Sequence, residues 1–212
     1  MGGGLQLDSP VNRISRHTYS LIEDWIEPGS RVLDLGCGDG ALLDRLIERK
    51  KVEGIGVEIS QSMIVRCLGR GISVYQADID RGLSQWDDMT FDYVILNDTI
   101  QVISRPHEVM NEMLRVGRYA IISVSNFGYI GNRIRIFLEG RMNTAIRTTG
   151  AWHDTPVIRF VSLSEFKTSL REINITLVDA WYYVAHSSIH SRRSFLSNLL
   201  ADQGLFKLKR EE

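Results

Sequence analysis

The stretch Val32-Leu33-Asp34-Leu35-Gly36-Cys37-Gly38-Asp39-Gly40 constrains this chain more than any other. A short, largely apolar run enters three glycines at alternate positions. A helical pattern, Leu42, Leu43, Leu46 and Ile47, follows at once. This predicts a buried strand, a tight turn and a helix. Glycine gives the turn its backbone freedom and lets a ligand approach without meeting a Cβ. The helix beyond would offer free backbone N–H groups to that ligand.

The alternation continues. Strands are predicted at Arg31 to Leu35, Gly54 to Ile59, Ser73 to Ala77, Phe91 to Leu96 and Tyr119 to Val124. A first helix spans Asn12 to Ile26. Others run from Gly40 to Lys50, from the Ser60 cap to Arg70, and from Pro106 to a Gly117 cap. Such alternation predicts an α/β chain with a doubly wound parallel sheet, ligands lying at the carboxyl ends of its strands.

The rhythm breaks at residues 126–160, read as an insertion over that carboxyl edge in an otherwise single domain, 1–212. It holds a basic helix, Ile130 to Leu138, with Arg133 and Arg135, then Arg141 and an irregular segment, Thr148 to Pro156. Loops of this length usually have a function. Beyond it, Ser164 is expected to cap a helix through Arg171. A strand from Ile175 to Ala185, a helix from Ser191 to Leu200 and a last strand from Leu205 to Lys209 follow.

Composition narrows the partners. A net charge of −1 gives no global field for nucleic acid or membrane, and no run is apolar enough to span a bilayer. Cys37 and Cys67 show neither disulfide-framework nor metal spacing, which fits a reducing, cytoplasmic setting. Met1 to Gly4 lacks a signal-peptide layout.

Charge also reads the glycine turn. Glu58 ends the second strand, 18 positions beyond Gly40, where a carboxylate can accept from ribose hydroxyls. Gly36-x-Gly38-x-x-Ala41 also satisfies the dinucleotide fingerprint, so NAD is the alternative. Asp34 and Asp39 oppose it, because carboxylates there would repel a pyrophosphate. S-adenosylmethionine (SAM) brings a sulfonium and an ammonium instead. Asp78, after the third strand, can accept from an adenine amine, and Ile79 can offer its backbone N–H and an apolar surface.

Together Asp34-Leu-Gly-Cys-Gly-Asp-Gly40, Glu58, Asp78-Ile79 and Phe91-Asp92 resemble the class I SAM-dependent methyltransferases. The resemblance implies a Rossmann-like, seven-stranded, mostly parallel sheet with the last strand antiparallel. It implies SAM, or its product S-adenosylhomocysteine, as cofactor. Asp34, Gly36, Cys37, Gly38 and Asp39 would lie at the methionyl part, Glu58 and Ile59 at the ribose, Asp78 and Ile79 at adenine, with Asn97 completing the set. A narrower resemblance rests on Tyr93-Val-Ile-Leu, Glu112-Met-Leu-Arg-Val-Gly-Arg118, Asn126-Phe-Gly128, Gly140-Arg-Met142, Trp152-x-Asp154-Thr-Pro156 and Asn198-Leu-Leu-Ala. These look like the MetW family of methionine biosynthesis, which implies action with the homoserine O-acyltransferase MetX. The chain departs from the family at Val157-Ile158-Arg159 and Asn97-Asp98-Thr99-Ile100.

No catalytic residue stands out. Asn97, Thr99 and Gln101 follow the fourth strand, where the family's methyl acceptor lies, but the Asn-Pro-Pro-Tyr type motif is absent. His153-Asp154 allows acid–base chemistry or a loop-structuring role. His107 reads as structural or exposed, and His186 and His190 lack metal spacing. Cys37 reads as a small packed residue rather than a nucleophile. Arg133, Arg135 and Arg141 suit a solvated face, a carboxylate or an acidic partner. Two functions follow: a SAM-binding partner of an acyltransferase, or a methyltransferase acting on a small acceptor.

Overall fold

A computed structural model describes residues 10–140, 159–184, 187–190 and 196–211, with backbone alone at 10–16 and 187–190. Helix α1 (Pro10–Trp25) precedes β1 (Arg31–Leu35), α2 (Ala41–Lys50), β2 (Glu53–Glu58), α3 (Gln61–Gly69), β3 (Ser73–Gln76), β4 (Phe91–Leu96), α4 (Pro106–Val116) and β5 (Gly117–Ser125). Then come α5 (Ile130–Glu139), α6 (Leu163–Glu172), β6 (Ile175–Val184), β7 (Ser187–His190), α7 (Ser197–Leu200) and β8 (Gln203–Arg210).

The strands form one sheet in the order β3-β2-β1-β4-β5-β8-β6-β7. β1 to β5 pair in parallel, and β8 lies antiparallel between β5 and β6. This is the seven-stranded pattern with an antiparallel last strand. The short β7 adds an eighth strand at the edge, hairpinned onto β6. It occupies residues just ahead of the predicted Ser191 to Leu200 helix, of which the described residues show Ser197–Leu200.

Strand alternation sorts the core onto two faces. Val32, Tyr93, Ile95, Ile121 and Leu205 pack with Leu21, Ile22, Leu43 and Leu46 of α1 and α2. Leu33, Leu35, Val94, Leu96, Ile122 and Phe206 face the other way, onto Met110 and Met113 of α4 and Phe166 of α6. With both faces covered, the central strands are apolar almost throughout. Among the described residues no helix is long and apolar enough to cross a membrane.

Three helix ends differ from the sequence reading. Ser162, not Ser164, caps α6: its Oγ accepts from the Glu165 amide (3.2 Å), and the Glu165 carboxylate accepts from the Ser162 amide (2.9 Å). This reciprocal box needs Glu three positions on, which Ser162 has and Ser164 lacks. The Ser164 amide instead donates to Asn198 Oδ1 (3.1 Å). Ser60 precedes α3 without a side-chain capping bond, its Oγ pairing instead with Ser62 Oγ (3.0 Å). Gly117 does cap α4, its amide donating to the Met113 carbonyl, but with an extended backbone (φ −132°) instead of a left-handed one, and it also opens β5; a Cβ there would come within 2.4 Å of Val94 Cγ2.

Candidate functional site

The strand order reverses between β1 and β4, whose carboxyl ends open a crevice. Gly36, Gly38 and Gly40 at its floor all have left-handed backbones (φ 72°, 56° and 77°). The amides of Gly36 and Cys37 donate to the Val57 carbonyl (2.8 and 3.1 Å), tying the turn to β2. Thr99, after β4, leans over it: a Cβ on Gly36 would lie 2.8 Å from Thr99 Oγ1. A Cβ on Gly38 would meet nothing within 4 Å, so open space lies before that residue.

Asp34 is 2% exposed on the last turn-facing position of β1. Burial, and then the charge of Glu58, push its carboxyl up to about 7. No protein hydrogen bond to this carboxylate is seen among the described residues. A buried acid in that state favours a cationic partner.

The Glu58 carboxylate is already well engaged. It accepts from the amides of Gly38 (2.9 Å), Ile59 (2.9 Å) and Ser60 (2.8 Å). A carboxylate has roughly four acceptor positions, so about one remains for a ribose hydroxyl where the sequence suggested room for two. Asp39 turns outward at the head of α2. It accepts from the Ala41 amide (3.3 Å) and pairs with Arg70 Nη2 (2.8 Å), so its charge is matched from α3.

Cys37 and Cys67 bring their sulfurs to 3.8 Å beneath the turn, and the Cys67 thiol donates to the Gly38 carbonyl (3.1 Å). Burial, with neighbouring negative charge, pushes the Cys37 thiol far up, which suits a packed residue and not a nucleophile. Gly56 makes room for it: a Cβ there would sit 2.5 Å from Cys37 Sγ.

Beyond β3, Asp78 opens a 3₁₀ turn over Ile79–Arg81, with Oδ1 accepting from the Asp80 amide (3.0 Å). Arg81 Nε stands 3.7 Å from its other oxygen. Ile59, Ala77, Asp78, Gly82 and Gln85 line a cleft of about 400 Å³. Ile59 is 64% exposed there, an apolar face of the kind an aromatic base would cover.

After β4, Asn97 Nδ2 donates to Asp98 Oδ2 (3.3 Å), and its own carbonyl accepts from Thr99 Oγ1 (2.8 Å). Asn97 Oδ1 and Gln101 Nε2 are buried with no partner. The Arg159 amide donates to the Gln101 carbonyl (3.1 Å), and its guanidinium grips the carbonyls of Ile103 and Ser104. Of the other candidates, Arg133 binds the Gly128 carbonyl and Arg135 pairs with Glu139 along α5. His107 lines a separate cleft with Arg159, Phe160 and Phe166. Arg141, His153, Asp154 and His186 lie outside the described residues, as does the side chain of His190.

The structure thus gathers Asp34, Gly36, Cys37, Gly38 and Glu58 about one turn, with Asn97 on the β4 loop and Asp78 and Ile79 at the end of β3. Arg70 and Cys67 were not foreseen at the turn, and Arg159 stood out in the sequence only as a departure from the family pattern. Arg70 and Cys67 meet the turn only through packing of α3, and no spacing in the sequence announces that. Among the described residues no group of acids, histidines or cysteines could hold a metal ion.

Comparisons with known proteins place this arrangement. A bifunctional methionine biosynthesis protein MetXA/MetW of Rhodopirellula baltica is 36% identical over 195 residues, covering 88% of this chain and 31% of the relative. The chain therefore spans about a third of that curated relative. A SAM-dependent methyltransferase of Thermotoga maritima, a possible histamine N-methyltransferase, superposes with a TM-score of 0.70 at 17% identity, over 95% of this chain and 91% of the other. Magnesium protoporphyrin IX methyltransferase of Synechocystis, solved with bound S-adenosylhomocysteine, gives 0.68 at 14% identity, over 100% and 89%. The fold is that of the SAM-dependent methyltransferases. The sequence pattern of the methionine biosynthesis protein MetW matches residues 16–208, and the chain belongs to the MetW family.

Proposed function

We propose that this chain binds SAM or S-adenosylhomocysteine at the β1 turn and acts with a homoserine O-acyltransferase in methionine biosynthesis. The observation that carries the ligand is Asp34: a buried carboxylate without a protein donor among the described residues, behind a glycine turn with open space before it. Such a group repels a pyrophosphate and attracts a sulfonium or ammonium. Glu58 takes a ribose hydroxyl on its remaining acceptor position, and the cleft lined by Ile59, Ala77 and Asp78 takes the adenine. The acyltransferase partnership is supported by the fused MetXA/MetW relative, whose name joins the two activities in one chain. The reading of residues 126–160 as an insertion is supported by its two flanks meeting, the Phe127 amide donating to the Val161 carbonyl (3.1 Å).

A second reading, methyl transfer from SAM to a small acceptor, is favoured by Gln101. Its buried, unpartnered Nε2 stands on the loop after β4, where a polar acceptor could satisfy it. Methyl transfer is an in-line displacement, and holding acceptor and methyl in line supplies much of the rate.

Calorimetry tests the shared part: the chain should bind both adenosyl ligands, and Gly38→Ala should abolish binding while costing about 1–2 kcal/mol of stability for its left-handed backbone. No binding by the unaltered chain would overturn both readings. Co-expression with the acyltransferase of the same organism separates them. Co-purification, with acyltransferase activity that responds to SAM, is the expected result; no complex and unchanged activity would return the balance to methyl transfer.

A further inference from the structure

Asp98 adopts a left-handed backbone (φ 55°) immediately after β4. Residues other than glycine seldom do so, and aspartate is among the few that tolerate it. Such positions persist where surrounding structure holds them, commonly at ligand sites. Here the hold is visible. The Asp98 amide donates to Ser123 Oγ on β5 (2.6 Å), and that hydroxyl donates back to Asp98 Oδ1 (3.3 Å). Gln203 Nε2, at the start of β8, donates to the same oxygen (2.9 Å). Two strands therefore fix one carboxylate.

With Oδ1 taken twice, Oδ2 faces Asn97 and accepts from its Nδ2 (3.3 Å). A carboxylate can only accept, so it dictates which way the Asn97 carboxamide lies. The amide nitrogen must point to Asp98 and the oxygen away from it. That oxygen is buried and has no partner among the described residues. It belongs to the loop that leans on the glycine turn, where Thr99 binds the Asn97 carbonyl and crowds Gly36. Buried acceptors are ordinarily satisfied. One fixed beside a ligand turn, with its donor missing, specifies a donor on the ligand.

We infer that Asp98 is a positioning residue: it holds Asn97 so that Asn97 Oδ1 accepts from the α-ammonium of the adenosyl ligand. This rests on the proposed adenosyl site and deepens it, for it makes the loop after β4 read the amino-acid end of the ligand. The site then distinguishes S-adenosylhomocysteine from 5′-methylthioadenosine, which shares the nucleoside and sulfur but carries no ammonium.

The test is calorimetry with both ligands on the unaltered chain, Asn97→Ala, Asp98→Gly and the double variant. Glycine is chosen because it keeps the left-handed backbone while removing the carboxylate. Asp98→Gly should weaken S-adenosylhomocysteine about tenfold, the scale of one hydrogen bond to a charged group, and leave 5′-methylthioadenosine unchanged. Asn97→Ala should do the same. The double variant should lose no more than Asn97→Ala alone, since Asp98 acts through Asn97. Equal losses for both ligands, no loss for either, or a full additional loss in the double variant would each overturn the inference while leaving the adenosyl site standing. If Asp98→Gly does not fold, Ser123→Ala carries the same comparison, with a smaller selective loss expected and an equal or absent loss overturning it. An unaltered chain that binds neither ligand would overturn the site and the inference together.

Discussion

Asp34 sets the electrical character of the pocket. Its ordinary carboxyl value of 3.8 holds in the unfolded chain, while in the folded chain burial and Glu58 lift it to about 7. Between those values the ligand-free fold keeps a proton that the unfolded chain has lost. Stability from this group is full below the lower value and falls as pH rises through the upper one. A cationic ligand prefers the ionised form, so its binding runs the other way. Denaturant unfolding of the ligand-free chain should show a loss of stability from about pH 4 to about pH 7, and ligand affinity should rise over the same range. Asp34→Asn should flatten both profiles and stabilise the ligand-free chain while weakening binding. A ligand-free profile that rises with pH would contradict this account. The sequence showed that an acid precedes the turn. It could not show that Asp39, two glycines further on, is matched by Arg70 while Asp34 is not, because that depends on how α3 packs.

The elements hold the site through their ends. Asn126, 1% exposed at the end of β5, bonds in four directions. Its Nδ2 donates to the carbonyls of Asn198 (3.0 Å) and Ala201 (2.7 Å) around α7, and its Oδ1 accepts from the amides of Gly128 (2.9 Å) and Leu163 (3.3 Å). One side chain thus joins β5, the approach to α5, the start of α6 and the end of α7. Asn126→Ala would leave two carbonyls and two amides without it, and should cost about 2–4 kcal/mol in equilibrium denaturation, against about 1 kcal/mol for the Ser162→Ala cap. Similar costs for the two would show that Asn126 joins nothing. Strand cores were legible where apolar runs are bounded by turn residues: Arg31–Leu35 and Phe91–Leu96 match at both ends. Helix caps were less so, since Ser162 and Ser164 are both plausible in the sequence until the position of Glu165 is weighed. The joint made by Asn126 leaves no local trace at all, for its partners lie up to 75 positions away.

At the scale of the whole molecule, the proposed ligand would touch the ends of β1, β2, β3 and β4 together. Binding should therefore stabilise the domain as a unit, by about 2.7 kcal/mol at a ligand concentration one hundred times Kd, read as a shift of a single thermal transition. A transition that splits would mean that the ligand stiffens only part of the sheet. The doubly wound half was open to sequence reasoning because strand and helix recur in order. The eighth strand was not: β7 is a four-residue hairpin partner whose existence follows from β6 being an edge, not from its own pattern.

β8, the last of the described strands, sits inside the sheet with β5 and β6 on its two sides. Synthesis delivers it after both of them. A nascent chain on the ribosome carries β5 and β6 with no strand between them, and their exposed N–H and C=O groups can be captured by any neighbouring chain until Gln203–Arg210 leave the exit tunnel. The sheet is closed from its middle only once β8 has been made. The pace of synthesis between β5 and β8, and the chaperones waiting at the tunnel mouth, therefore bear on the yield of folded protein as directly as any contact in the finished molecule.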